Sequence, residues 1–235
     1  METTKFTYNY PAHYVASDSV VFGFDGKEMY ILLIERGNEP FKGMWALPGG
    51  FMKPDETIEQ CAVRELKEET DVSVKQEDIR QFNVYSQLDR DPRYRVMSVS
   101  FYALVVKQTV KGGDDANGAA WFPVKQLPDL AFDHDIIIND AMSQLKKDIY
   151  FKPIGFELLP KKFTVSQLQK LYELILDTKL DRRNFAKKVR DNLKIIKEVR
   201  TNTKDMITTA NTTKYYSFDE KRYSDLKSGE IKIEF

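Results

Sequence analysis

An α/β (α+β) fold in two parts is predicted by three features of the 235-residue sequence. β-rich runs and helical stretches alternate through the first 150 residues. A connector broken by Pro153, Gly155 and Pro160, "FKPIGFELLPKKF" (151–163), then interrupts regular structure. Finally, formal charge changes sign along the chain. From Lys161 to Phe235 there are 18 Lys+Arg against 11 Asp+Glu, a net of +7, and since the whole chain carries zero the rest carries −7. Such asymmetry fits two units facing different partners, the basic one suited to polyanions. The predicted domains are 1–150, closed by a linker helix at about 135–149, and 151–235.

In the first unit "SVVFGF" (19–24) and "MYILLIER" (29–36) read as strands joined by the turn "DGKE". "VMSVSFYALVV" (96–106) is rich in β-branched and aromatic residues, and "AAWFPV" (119–124) is a further short strand. Residues 57–70 and 135–149 read as helices. In the second unit Thr164 and Gln167 have capping-box spacing at the start of "TVSQLQKLYELIL" (164–176), and Leu168, Leu171, Leu174 and Ile175 recur at helical spacing. "DRRNFAKKVRDNL" (181–193) starts a second helix at Asp181. "KIIKEVR" (194–200) and "KYYSFDEKRY" (214–223) read as strands around a polar, mobile loop (201–213).

Composition excludes several classes. A single cysteine, Cys61, leaves no internal disulfide and no cysteine-built zinc site, and fits a reducing cytoplasm. The start "METTKFTYNYPAHYV" has no apolar signal core, and no run approaches the ~18 apolar residues of a membrane span. A cytoplasmic protein is expected.

The informative stretch is "GGFMKPDETIEQCAVRELKEETDV" (49–72). On a helix over 57–70, Ile58, Cys61, Ala62 and Leu66 form the apolar stripe. Glu65 lies four after Cys61 and Glu69 four after Glu65, so both fall on or beside that stripe. They sit at the helix end where the dipole disfavours acids. An inward carboxylate costs several kcal/mol unless paired or bound to a cation. A divalent metal resolves the conflict, because Mg²⁺ takes oxygen ligands and joins carboxylates to substrate phosphates. It would also activate a water to attack phosphorus. Arg64 is placed to pair with Glu56 or Glu68. Pro48, Gly49 and Gly50 allow a tight loop whose backbone lies close to a phosphate or metal.

Gly50, Glu56 and "RELKEETDV" resemble the Nudix box, with Asp71 at its final glycine. The resemblance implies a Nudix α/β/α sandwich with a mixed sheet and hydrolysis of nucleoside diphosphate derivatives with Mg²⁺ (or Mn²⁺). Glu65, Glu68, Glu69 and Gly50 would hold the metal, and Glu56, Arg64, Glu65, Glu68 and Glu69 form the catalytic set. Asp71 is a less favourable residue than glycine for a left-handed helix exit. ADP-ribose hydrolases of this family often carry a proline some fifteen residues beyond the box. Here Gln87 and Leu88 stand there, and Pro92 is nearest. Its segment "LDRDPRYR" (88–95) reads either as an arginine clamp for a diphosphate or ribose or as a solvated hairpin turn. Candidate ligand-binding residues are Arg36, Arg90, Asp91 and Arg93. His134, in "AFDH", reads as a hinge or packing residue rather than a general base.

In the second unit, two helices, the later one basic, followed by two strands are the order of a winged helix-turn-helix. Arg182, Arg183, Asn184, Lys187, Lys188 and Arg190 are candidate DNA-binding residues, with Phe185 and Val189 facing inward. Arginine there would read guanine, asparagine adenine, and lysines phosphate. A basic helix in a protein-interaction module is the other reading. Together "RDPR", "AFDH", "FTVSQLQKLYE" and "LDRRNFAKKV" resemble the Nudix-related transcriptional regulators, from about residue 13 to 223. The resemblance implies a ligand-responsive, dimeric regulator of double-stranded DNA, sensing ADP-ribose, a nucleotide sugar or a sugar. The alternative is a Mg-dependent pyrophosphohydrolase acting on ADP-ribose or a relative, whose second unit serves oligomerisation.

Overall fold

The computed structural model describes residues 11–112, 116–151, 154–192, 194–199 and 214–221. The chain divides into two compact units, Met1–Gly23 with Tyr30–Ser143, and Phe24–Met29 with Gln144–Phe235.

The first unit is built on strands β1 (Tyr14–Phe24), β2 (Met29–Arg36), β3 (Trp45–Ala46), β4 (Gly49–Phe51), β5 (Arg80–Tyr85), β6 (Val96–Val106) and β7 (Ala116–Pro123), with helix α1 (Ile58–Thr70) and the first part of α2 (His134–Phe151), whose residues from Gln144 on belong to the second unit, as do Phe24 and Met29. Among the described residues they form one sheet in the order β3-β2-β1-β6-β5, with β4 added to β1 and β7 to β2. Every residue of β1 from Ala16 to Phe24 is buried, as expected of a central strand covered on both faces. On one face Val21, Leu32 and Ala103 meet Leu66 of α1 and Val72 beyond it. On the other, Phe22 lies edge-on to Tyr102 at 6.3 Å. Burying Leu66 there is worth about 2 kcal/mol.

The long strands and both helices fall where the sequence places them. β3, β4 and β5 were not expected. β5 is half exposed and half polar, and among the described residues it pairs along β6 alone, so it lacks the apolar signature of a central strand.

The second unit contains α3 (Val165–Leu176), α4 (Arg182–Lys187), and strands β8 (Ile196–Val199) and β9 (Tyr215–Phe218) paired antiparallel. Thr164 and Gln167 form the expected capping box. The basic helix differs from expectation. It is α-helical only over Arg182–Lys187 and continues as a π turn, Lys188–Asn192. Phe163 and Tyr216 exchange backbone hydrogen bonds (2.9 and 2.8 Å), which closes the hairpin onto the start of α3. Phe156 stacks on Phe218 at 4.1 Å, and Tyr172 meets Phe185 edge-on at 5.5 Å. This is the predicted class, an α/β unit followed by a winged helix. The polar loop at 201–213 lies outside the described residues, as do the outer parts of the two expected strands.

Asp71 explains how the helix exits without glycine. It adopts φ 62°, its N–H donates to the Lys67 carbonyl, and its carboxylate pairs with the Lys67 ammonium. Asp71→Gly is therefore expected to leave the thermal midpoint nearly unchanged, because better backbone freedom offsets an exposed ion pair. Asp71→Val, β-branched at positive φ, is expected to cost about 1–2 kcal/mol in thermal unfolding.

Candidate functional site

α1 begins at a capping box, with Thr57 N–H donating to the Gln60 side chain at 2.8 Å. Its buried stripe (Cys61, Ala62, Leu66) draws Glu65 and Glu69 toward the sheet, and Glu69 is only 7% exposed. Arg64 gathers the carboxylates. Its Nε and Nη2 donate to Glu56 at 2.8 and 2.6 Å, and its Nη1 to Glu65 and Glu68 at 2.7 and 3.0 Å. Nη2 also reaches the Phe51 carbonyl at 3.3 Å, which ties α1 to β4. Glu69 accepts from Gly49 N–H at 2.9 Å. The two glycines are required by this closeness. A Cβ on Gly50 would lie 2.5 Å from the Glu65 carboxylate, and one on Gly49 would lie 2.1 Å from the Ser17 carbonyl oxygen.

The hydrogen bonds from Arg64 hold the Glu56 carboxyl down at about 2. Burial pushes Glu65 up, although Arg64 opposes it. Among the described residues no three His, Cys, Asp or Glu side chains are arranged as a metal cage, since Arg64 and Gly49 hold the glutamates. The donor set nevertheless fits a hard divalent cation. It consists of oxygens only, on one helix face, beside a glycine backbone with no side chain in the way.

Next to β4 lies a solvent-open cleft lined by all four ligand-binding candidates, Arg36, Arg90, Asp91 and Arg93. Their situations differ. Arg36 and Arg93 share one ring, with their guanidinium carbons 4.7 and 5.8 Å from the centroid of Phe132. Burial and the like charge of Arg93 lower the pKa of Arg36. An anion between them would relieve that repulsion. Arg93 also forms a bidentate pair with Asp91, at 3.0 and 2.8 Å. Arg90 is a strut. Its side chain is 5% exposed, grips both oxygens of Asp133 (3.0 and 2.8 Å), and donates to Asp18 at 3.1 Å.

Asp18, Asp133 and Phe132 are site residues that the sequence reading missed. Asp18 sits in β1 between Ser17 and Ser19, just ahead of the run read as a strand (19–24), so no apolar pattern marked it as buried. His134 is buried and takes part in packing. Its Nδ1 accepts from Leu47 N–H at 2.9 Å, and its Nε2 lies 3.6 Å from Asp18. Burial lowers its pKa, so the neutral imidazole with its proton on Nε2 suits both contacts.

In the second unit Asp181 caps α4 by accepting from Asn184 N–H at 2.9 Å. Arg182, Arg183, Asn184, Lys187 and Arg190 are exposed and Lys188 half-buried, while Phe185 and Val189 are in the core. Arg190 is held by Asp191 at 2.8 and 3.0 Å. The turn between α3 and α4 is fixed by Glu173, which accepts from Leu180 N–H at 3.0 Å, and by Gln169, which donates to the Leu180 carbonyl at 2.9 Å. Neither polar residue was singled out by the sequence reading.

Residues 13–141 match the NUDIX domain, and residues 155–218 match the NrtR DNA-binding winged helix domain. The chain belongs to the NUDIX family. It is 47% identical over 135 residues to the ADP-ribose pyrophosphatase of Methanocaldococcus jannaschii, covering 57% of this chain and 75% of that one. It is 31% identical over 186 residues to the ADPR responsive transcriptional repressor NtrR of Acinetobacter baylyi, covering 77% of this chain and 74% of that one. Shewanella oneidensis NrtR, solved in complex with a 27mer DNA, has 26% identity, covers 89% of this chain and 95% of its own, and superposes with a TM-score of 0.71. Kinship to NtrR thus extends through both parts of this NUDIX protein.

Because the folded pKa of Glu56 is depressed to about 2 from an ordinary 4.5, its contribution to stability is present above pH 4.5 and is lost as pH falls toward 2. Glu56→Gln is expected to remove roughly 2 kcal/mol at pH 7 and to flatten that part of the acid-unfolding profile. Denaturant melts of both proteins across this pH range measure it.

Proposed function

We propose that the protein is an ADP-ribose-responsive transcriptional regulator. Residues 1–150 form the ligand-sensing domain and residues 151–235 bind double-stranded DNA, and a cytoplasmic homodimer matches the two-fold symmetry of an operator. The observation that carries the reading is the basic, exposed face of α4, held on a helix-turn-helix frame by Glu173. Arg182, Arg183 and Asn184 occupy the N-terminal turn that reads bases in such frames. Lys187 and Lys188 lie where phosphate contacts are expected, whereas Arg190 must first leave Asp191. Kinship with the NtrR of Acinetobacter baylyi, an ADPR responsive repressor, supports ADP-ribose as the effector. The cleft supplies two like-charged guanidiniums over Phe132 for its diphosphate.

A second reading, compatible with the first, is hydrolysis of ADP-ribose to AMP and ribose 5-phosphate with Mg²⁺ or Mn²⁺. The complete set Glu56, Arg64, Glu65, Glu68 and Glu69 around Gly50 favours it, as does 47% identity to an ADP-ribose pyrophosphatase. A divalent cation held by Glu65, Glu68 and Glu69 would neutralise diphosphate oxygens and lower the pKa of a water. Arg64 positions Glu65 and Glu68, Gly49 N–H holds Glu69, and Gly50 leaves room beside Glu65.

Two experiments test the readings. In anisotropy titrations, duplex from the protein's own upstream region is expected to bind far more tightly than a scrambled duplex. Lys187→Ala should weaken binding to both duplexes and reduce the slope of log affinity against log salt by about one, whereas Arg183→Ala should lower the preference for the specific duplex. Equal binding to both duplexes contradicts the regulator. For hydrolysis, ADP-ribose with Mg²⁺ or Mn²⁺ should yield AMP, and Glu69→Gln should slow turnover on the order of 100-fold without loss of DNA binding. Absence of turnover in the wild-type protein removes the second reading and leaves the first intact.

A further inference from the structure

We infer that Tyr14, Phe51 and Tyr94 form the shelf on which the adenine ring of ADP-ribose stacks, an assignment that rests on ADP-ribose occupying the cleft. Tyr14 and Tyr94 are each 51% exposed, and they lie in direct contact, with ring centroids 4.7 Å apart. Tyr14 also meets Phe51 at 5.3 Å. The group is preformed by backbone. β4 pairs with β1 so that Phe51 stands opposite Ala16, Met52 N–H donates to the Val15 carbonyl at 2.9 Å, and Tyr14 N–H donates to the Arg95 carbonyl at 3.1 Å. Three separate segments therefore present their rings together at little further ordering cost on binding.

Phe51 links the shelf to the charged cleft. It is a lining residue of the cleft, and the Arg93 guanidinium carbon lies 5.4 Å from its ring centroid. Along β4 the chain passes from Gly49 and Gly50, beside the glutamates, to Phe51, beside Tyr14. A molecule whose diphosphate lies between Arg36 and Arg93 would thus carry any flat aromatic group at that end onto exposed tyrosine faces. A purine gains by stacking on such faces, and the arginine beside them adds a cation–π contribution. A second copy of the chain is a poorer occupant. Stable protein interfaces use about 20 residues a side, and this patch is three rings bordered by arginine.

The test is calorimetric titration of the full-length protein with ADP-ribose, AMP and ribose 5-phosphate, for the wild type, Tyr14→Ala, Tyr94→Ala and Tyr14→Phe. Both tyrosines are half exposed, so their removal spares the core. The expected result is that each alanine variant lowers the preference for ADP-ribose over ribose 5-phosphate by about tenfold. Tyr14→Phe, which keeps the ring, should retain the preference. An unchanged preference in both alanine variants overturns the shelf while leaving ADP-ribose as the effector. Conversion of a wild-type dimer to monomer by Tyr94→Ala, seen by sedimentation, would also overturn it and assign the rings to a contact between copies. If the wild type fails to bind ADP-ribose, the effector assignment fails. AMP against ribose 5-phosphate then decides the shelf by itself, and it falls if AMP is not preferred.

Discussion

The NUDIX unit depends on a single guanidinium. Glu56, Glu65 and Glu68 crowd onto the start and the adjacent turns of one helix, and Arg64 meets all three within 3.0 Å. Without it, like-charged carboxylates would spread apart, and Glu65, already disfavoured as an anion by burial, would lose the partner that opposes that shift. The same side chain donates to the Phe51 carbonyl, so neutralising the helix and locating β4 are one event. β4 in turn carries Gly50 against Glu65 and Phe51 into the cleft. Truncating Arg64 would therefore disturb the carboxylates and the cleft together.

A second polar network, deeper in the unit, shapes the other wall. Asp18 lies in the buried polar stretch Ser17–Ser19 of β1, and Arg90 joins it to Asp133 just ahead of α2. His134, the first residue of α2, ties that helix to the loop before β4 through Leu47. Buried ion pairs of this kind add little net stability, because desolvation opposes their attraction. Their value is geometric. They fix the 88–95 segment so that Arg93, two residues after Asp91, projects over Phe132. Phe132 itself holds a left-handed backbone, φ 55°, a cost paid where its ring supports two arginines.

Much of this was legible in the sequence, for physical reasons. α1 could be placed because Ile58, Cys61, Ala62 and Leu66 form one apolar stripe, although its Thr57–Gln60 cap went unread. The acids next to that stripe then demanded a partner. α3 was legible through Thr164 and Gln167, and the inward face of α4 through Phe185 and Val189. Other features depend on contacts between residues far apart in sequence. "LDRDPRYR" reads as a ligand clamp or a solvated turn, yet the Arg90 side chain is buried as a strut, because Asp18 and Asp133 lie 72 and 43 residues from it. β5 escaped notice because an edge strand needs no apolar alternation. The change from α-helix to π turn at Lys188 has no marker of the glycine or proline kind.

The central claim is that one chain couples a nucleotide ligand to duplex DNA. Coupling between two sites is reciprocal, so the factor by which ADP-ribose weakens DNA binding must equal the factor by which DNA weakens ADP-ribose binding. The decisive measurement is ADP-ribose affinity with and without saturating duplex from the upstream region, at fixed salt. A non-cleavable analogue replaces the ligand if turnover is seen. The account predicts weaker ligand binding in the presence of that duplex, by roughly 5- to 150-fold, and no such change with a scrambled duplex. Identical ligand affinity with and without the specific duplex would contradict it.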